Sequence, residues 1–156
     1  MFSRKLLIAI PAVFITALPV SAEETTADPI DMLGKWTFAT RPYQNGGGSC
    51  NMSGTMTVSP NPEAGLYDCE VTAVEECDAW GKSVVVQSCK VRRTRNQVAI
   101  RSIIEQTLEY KMKIEGLTYI PDNFALTVQS PDLMYGSLIS AVNAPVEFRR
   151  SQDGIS

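Results

Sequence analysis

The chain contains no histidine. That absence removes Ser-His-Asp and Cys-His catalysis, imidazole-ligated metals and histidine pH switching together. A surplus of positive charge is also missing. Fourteen basic residues against 17 acidic ones leave a net charge of -3, which argues against a nucleic-acid partner. No G-x-G-x-x-G or P-loop pattern occurs, since Gly46-Gly47-Gly48 runs into Ser49-Cys50 with no lysine. Ser137 lies outside any G-x-S-x-G elbow. No D-x-D-x-D-G calcium loop follows Asp28 and Asp31. A non-enzymatic chain without cofactor or metal is therefore expected.

Long apolar runs are scarce as well. The stretch from Leu6 to Leu18 is interrupted by Pro11 and is short of the roughly 20 residues that a membrane span needs. Arg4 and Lys5 precede it, and Pro19-Val20-Ser21-Ala22 follows as a small-residue cleavage pattern. This is the layout of a secretory signal peptide over residues 1–22, so the mature chain is expected to start at Glu23 and to be exported, periplasmic or secreted. No later segment is long and apolar enough to span a bilayer. The four cysteines fit an oxidising compartment: Cys50, Cys69, Cys77 and Cys89 are an even set without a C-x2-C knuckle, which favours two disulfides over zinc.

What the mature chain has in abundance is alternation. Residues 23–34 read as a flexible leader and one helical turn, with Asp28 as cap, Pro29 at the first helical position and Gly34 as the stop. From there the apolar period is two. Trp36 and Phe38 alternate with polar neighbours, as do Met56 and Val58. The same holds for Tyr67, Cys69, Val71 and Ala73, for Val98 and Ile100, and for Tyr110, Met112 and Ile114. It holds again for Phe124, Leu126 and Val128, and for Val146 and Phe148. Ser83–Val91 and Leu133–Ser140 are β-rich runs. Such alternation marks half-buried antiparallel strands. Turn residues separate them at 59–65, 78–82, 95–96, 115–116, 121–123 and 130–132. The expected fold is all-β: an up-and-down meander of eight or nine strands over residues 35–150, closed into a barrel, with a disordered tail from 151 to 156. The irregular, Gly-rich stretch Arg41–Asn51 is expected over one open end.

The turn positions also set the disulfides. A hairpin of 53–58 with 66–72 brings Cys50 level with Cys77, and a second hairpin turning at 79–81 returns Cys89 towards Cys69. The expected pairs are Cys50–Cys77 and Cys69–Cys89, with Cys50–Cys69 and Cys77–Cys89 as the rival connectivity.

The run Leu33-Gly34-Lys35-Trp36-Thr37-Phe38 resembles the G-x-W that opens the first strand of lipocalins and other calycins. In those proteins the tryptophan plugs the closed end of an eight-stranded barrel. The chain is also similar, more weakly, to the small periplasmic inhibitors of bacterial metalloproteases. Those too are small barrels with an early G-x-W and a nearby cysteine, as Trp36 and Cys50 are here. They enter the protease cleft with an N-terminal trunk, and the matching segment would be Glu23 to Asp31. The first resemblance implies a lipocalin-like binding protein for a small apolar ligand or an envelope partner; the second implies a protease inhibitor.

Few residues stand out as chemistry. Glu75 and Glu76 are adjacent on an extended chain and point to opposite sides, so they read as a solvated hairpin end rather than a catalytic pair. Lys90, Arg92, Arg93 and Arg95, with Arg149 and Arg150, form either a patch for an anionic partner or edge charges that discourage aggregation. Among the inward residues, Trp36, Tyr67, Tyr110, Met112 and Phe124 are the candidate ligand contacts if the barrel is hollow. If it is filled they are core, and Trp36 is the plug of its narrow end.

Overall fold

The computed structural model describes residues 31–46, 48–110 and 118–152. The expected signal peptide, residues 23–30 of the leader, Met112, Ile114 and residues 153–156 of the tail lie outside the described residues. Nine strands follow in chain order: β1 Gly34–Thr40, β2 Tyr43–Asn45, β3 Gly48–Pro60, β4 Leu66–Cys77, β5 Gly81–Thr94, β6 Gln97–Tyr110, β7 Asn123–Ser130, β8 Leu133–Ile139 and β9 Asn143–Arg150. Each pairs antiparallel with its neighbours in the order β1-β9-β8-β7-β6-β5-β4-β3-β2, and β1 also pairs with β3. That last ladder closes the sheet. The result is an antiparallel barrel of eight strands plus one short extra strand, β2.

The alternation read from the sequence becomes the inside–outside pattern of the wall. In β9, Ala144, Val146 and Phe148 are buried while Pro145, Glu147 and Arg149 are exposed. In β4 the inward series is Cys69, Val71, Ala73 and Cys77. Both disulfides join residues directly opposite on neighbouring strands: Cys50 with Cys77 across β3–β4, and Cys69 with Cys89 across β4–β5. This is the connectivity expected from the hairpin turns.

Phe38, Phe124 and Phe148 fill the waist of the barrel, with ring centroids 5.0 to 5.3 Å apart. The Phe38 ring lies over Gly54, where a Cβ would sit 2.7 Å from the ring and 2.1 Å from the Thr72 carbonyl oxygen. Gly54 therefore supplies the room that the third ring needs, and it hides the continuity of β3 from a pattern reading. The strand's inward series runs on to Met52 and Cys50.

Two expectations are corrected. Residues 31–33 form no helical turn; the Asp31 carboxyl accepts a hydrogen bond from the Leu33 N–H (2.9 Å), a local turn that competes with helix. The stretch Arg41–Asn51 is not an irregular loop. Tyr43–Asn45 pairs with Gly48–Cys50 as a hairpin, so β2 continues the line of β1 beyond Arg41 and Pro42. The stretch does sit at one end of the barrel, as expected.

Among the eight wall strands the shortest described ladder joins β6 and β7, covering Gln97–Ile100 against Phe124–Thr127. Beyond it side chains take over. Asn123 accepts from the Ser102 N–H (3.0 Å), and the Ser102 hydroxyl donates to the Asp122 carbonyl (2.7 Å). Pro121 has no N–H with which to continue a ladder. On its other side β6 pairs with β5 along its whole length, across two register shifts, with Ile103 and Leu108 exposed. Tyr110 is the last residue of this same strand, not the start of a separate one, and it pairs with Ser83.

Candidate functional site: a cavity at the open end of the barrel

The end of the barrel near Trp36 is closed. Trp36 is fully buried, and its indole N–H donates to the Met32 carbonyl (3.0 Å). The Arg150 guanidinium lies 4.4 Å above the ring. It donates to the carbonyls of Leu33 (2.6 Å), Asp31 and Pro131 and pairs with Asp132 (3.2 Å). Arg150 thus ties the incoming chain and the β7–β8 turn across the tryptophan, and Met32, fully buried, completes the seal.

The opposite end is hollow. A cavity of about 300 Å³ lies between the β2–β3 hairpin, the end of β4, the segment 118–122 and the β8–β9 turn. Met52, Leu138, Trp80, Ile120 and Val142 give it apolar walls. Trp80 can lie over the hairpin because Gly46 lacks a Cβ, which would meet the indole ring at 2.8 Å. Tyr43, Asn45, Glu75, Thr118, Tyr119, Asp122 and Ser140 supply the polar part.

Asp122 is its most unusual member, a fully buried acid. Gln87, also fully buried, holds it with two bonds: the amide donates to Oδ2 (2.7 Å), and its oxygen accepts from the Asp122 N–H (2.8 Å). The Tyr119 hydroxyl donates to the same Oδ2 (2.9 Å). Oδ1 has no hydrogen-bond partner among the described residues. Ser140 borders this carboxyl, and its hydroxyl donates to the Ile120 carbonyl (3.1 Å). Burial pushes the Asp122 carboxyl up to about 6, with the Glu75 charge adding to the rise and the bonds from Gln87 and Tyr119, together with the neighbouring Ser140 hydroxyl, opposing it. Glu75 accepts from the Tyr43 hydroxyl. Burial also raises both phenols, that of Tyr119 helped by the Asp122 charge and that of Tyr43 by its bond to Glu75.

The residues proposed from sequence are distributed differently. Trp36 is in the closed end and Phe124 in the waist. Tyr67 stands half-buried opposite Pro60, and Tyr110 is half-buried at the end of β6. None of these four lines the cavity, and Met112 lies outside the described residues. Glu75 and Glu76 do point to opposite sides. Yet Glu75 faces inward, so the expected solvated hairpin end holds for Glu76 alone. Of the basic set, Lys90 pairs with Asp68, Arg92 with Glu63 (3.3 Å) and Arg149 with Glu147 (2.6 Å). With Arg150 committed to the closed end, these side chains serve as individually paired charges.

The two acids that sequence reasoning missed are legible by parity. Glu75 lies in register with Cys69, Val71 and Ala73, and Asp122 lies two before Phe124. Continuing each inward series past its last apolar residue finds both.

Glu75 comes within 4.8 Å of the sulfurs of Cys50 and Cys77, but those sulfurs are bonded to each other and offer no thiolate to a metal. Fold and site together define a small antiparallel barrel, sealed at one end and open at the other over an acid-lined cavity. No protein-family model and no curated protein matches this chain. Solved structures that share the fold include two redesigned barrels. The redesigned β-barrel mFAP1, bound to DFHBI, superposes with a TM-score of 0.53 at 10% identity, over 76% of this chain and 94% of that one. A second redesigned β-barrel gives 0.51 at 13% identity, over 77% and 91%.

Proposed function

We propose that the protein is an exported, non-enzymatic carrier that holds one small ligand in the open end of a lipocalin-like barrel. The cavity carries this reading: apolar walls with a few convergent polar groups are the usual composition of a small-molecule site. Eight-stranded barrels either fill with side chains or hold one small ligand. This one does the first at its waist and the second at its mouth. The fold shared with mFAP1, which is bound to DFHBI, is compatible with such a role. Export is supported by the order of residues in 1–22 and by the two disulfides, which persist in oxidising compartments.

Native mass spectrometry of protein purified from its own envelope tests both parts. The expected result is a polypeptide beginning at Glu23 that carries a small ligand, released on acid unfolding. A polypeptide retaining Met1 would overturn export. A ligand-free barrel that also takes up no small molecule from a panel of amines, alcohols and carboxylates would overturn the carrier role.

A further inference from the structure

The charge of the cavity wall is one-sided. Its wall carries two acidic side chains, Glu75 and Asp122, and no lysine or arginine among the described residues. Three of the four hydroxyls on its wall are already committed, the fourth being Thr118: Tyr43 donates to Glu75, Tyr119 to Asp122, and Ser140 to the Ile120 carbonyl. The acceptors are not. Asp122 Oδ1, fully buried, has no partner among the described residues. A buried polar atom without a partner carries a desolvation penalty, and native structures rarely leave one without a reason. A site with acceptors to spare calls for a ligand that donates.

Aromatic faces complete the match. Trp80, Tyr43 and Tyr119 all border the cavity, and the electron-rich face of such rings attracts a cation. An anionic ligand would meet the Glu75 and Asp122 carboxyl groups with no counter-charge. A neutral apolar one would leave Oδ1 unpaired.

We propose that the mouth of the barrel selects a small organic monocation, a primary amine on an apolar body. Its ammonium donates to Asp122 Oδ1 and Glu75, and its body rests against Trp80, Ile120 and Val142. This rests on the carrier reading and names the ligand class that the same cavity takes. The ammonium has three donors, enough for both carboxyl groups and one further acceptor.

Three probes of similar size and different charge test it on the purified, disulfide-intact protein. Calorimetric titrations at pH 7.5 with 2-phenylethylamine, 2-phenylethanol and 3-phenylpropionate are expected to show the amine binding at least tenfold more tightly than the other two. Glu75→Gln and Asp122→Asn keep the side-chain shapes, and each is expected to remove most of that preference with unchanged circular dichroism. The two variants are independent, so one that failed to fold would leave the other to decide. Equal or tighter binding of the alcohol or the carboxylate would overturn the amine assignment while leaving a carrier. An amine preference that survives in both folded variants would overturn the roles of Glu75 and Asp122. No binding of any probe, with no retained ligand in the native protein, would remove the carrier reading and this one with it.

Discussion

At the closed end of the barrel, Arg150 makes four hydrogen bonds to three carbonyl oxygens and covers the face of Trp36. At the open end, Asp122 is more deeply buried than Arg150, yet one of its two oxygens has no partner among the described residues. One end uses its charge to close the structure; the other keeps an acid in a place that penalises it. Burying a charge costs stability unless it is paired and hydrogen-bonded, so the first arrangement serves the fold and the second works against it. Sites that break the rules of stability in an otherwise consistent structure are where function is to be sought.

That contrast predicts opposite responses to mutation. Trp36→Ala should cause the largest loss of stability, since truncating a buried tryptophan costs about 3–5 kcal/mol. Chemical denaturation should show that loss, and it should exceed the loss for Trp80→Ala, whose ring is only half-buried at the mouth. A Trp36→Ala protein as stable as the wild type would break the comparison at its firmer end.

Next come the disulfides, which span 27 and 20 residues. The chain-entropy model assigns each roughly 3 kcal/mol. Replacing Cys69 and Cys89 by serine should lower the melting temperature, while non-reduced peptide mapping of the variant should still recover the Cys50–Cys77 link. Mapping that finds Cys50 joined to Cys69 in the wild type would contradict the register of the hairpins.

Asp122→Asn should move stability the other way. The folded-state value of about 6 lies above the unfolded one of 3.8, so the folded protein holds its proton longer. The resulting stabilisation is complete below about pH 4 and is lost as the pH rises through 6. At pH 7.5 the wild type bears the whole penalty, about 3 kcal/mol at most, and the amide does not. The variant should therefore gain over the wild type at pH 7.5 and gain little at pH 4. Urea midpoints at the two pH values measure the difference, and a loss at pH 7.5 would show that the carboxylate supports the fold after all.

The smallest effect belongs to Tyr43→Phe. Removing its hydroxyl leaves Glu75 without that donor, but Glu75 is not fully buried and has access to water. A change within about 1 kcal/mol is expected, the usual net worth of one hydrogen bond. A larger loss would mean that the mouth contributes to stability as the base does.

Much of the barrel is legible in the sequence because a strand writes its facing into a period of two. Trp36, Phe38, Val71, Ile100, Phe124 and Phe148 read as inward on that ground and are buried. Met52, Met134 and Leu138 escape the same reading because glycine or serine interrupts their series. Gly54 and Gly136 look like breaks in a strand, yet each marks a close approach where a Cβ would meet a neighbouring carbonyl oxygen at 2.1 and 2.0 Å. The cavity is the least legible part. Its polar members look like turn and loop residues, and only its parity with Phe124 separates Asp122 in Pro121-Asp122-Asn123 from a solvated aspartate.

Parity, turn positions and cysteine spacing are local properties. By themselves they gave the antiparallel meander, the inward side of most strands and, as the first of two connectivities, the Cys50–Cys77 and Cys69–Cys89 pairs. Which strand ends meet is not local. Tyr43, Glu75, Trp80 and Asp122 share a cavity because β1 closes on β3, and because the β6–β7 ladder stops after four pairs, where Asp122 turns inward to Gln87. Closure and stagger follow from the packing of the whole wall, including the register shifts between β5 and β6 and the three rings at the waist. The sequence pointed to Trp36 as a plug, but the tertiary structure alone decided that the other end is left open around two acids.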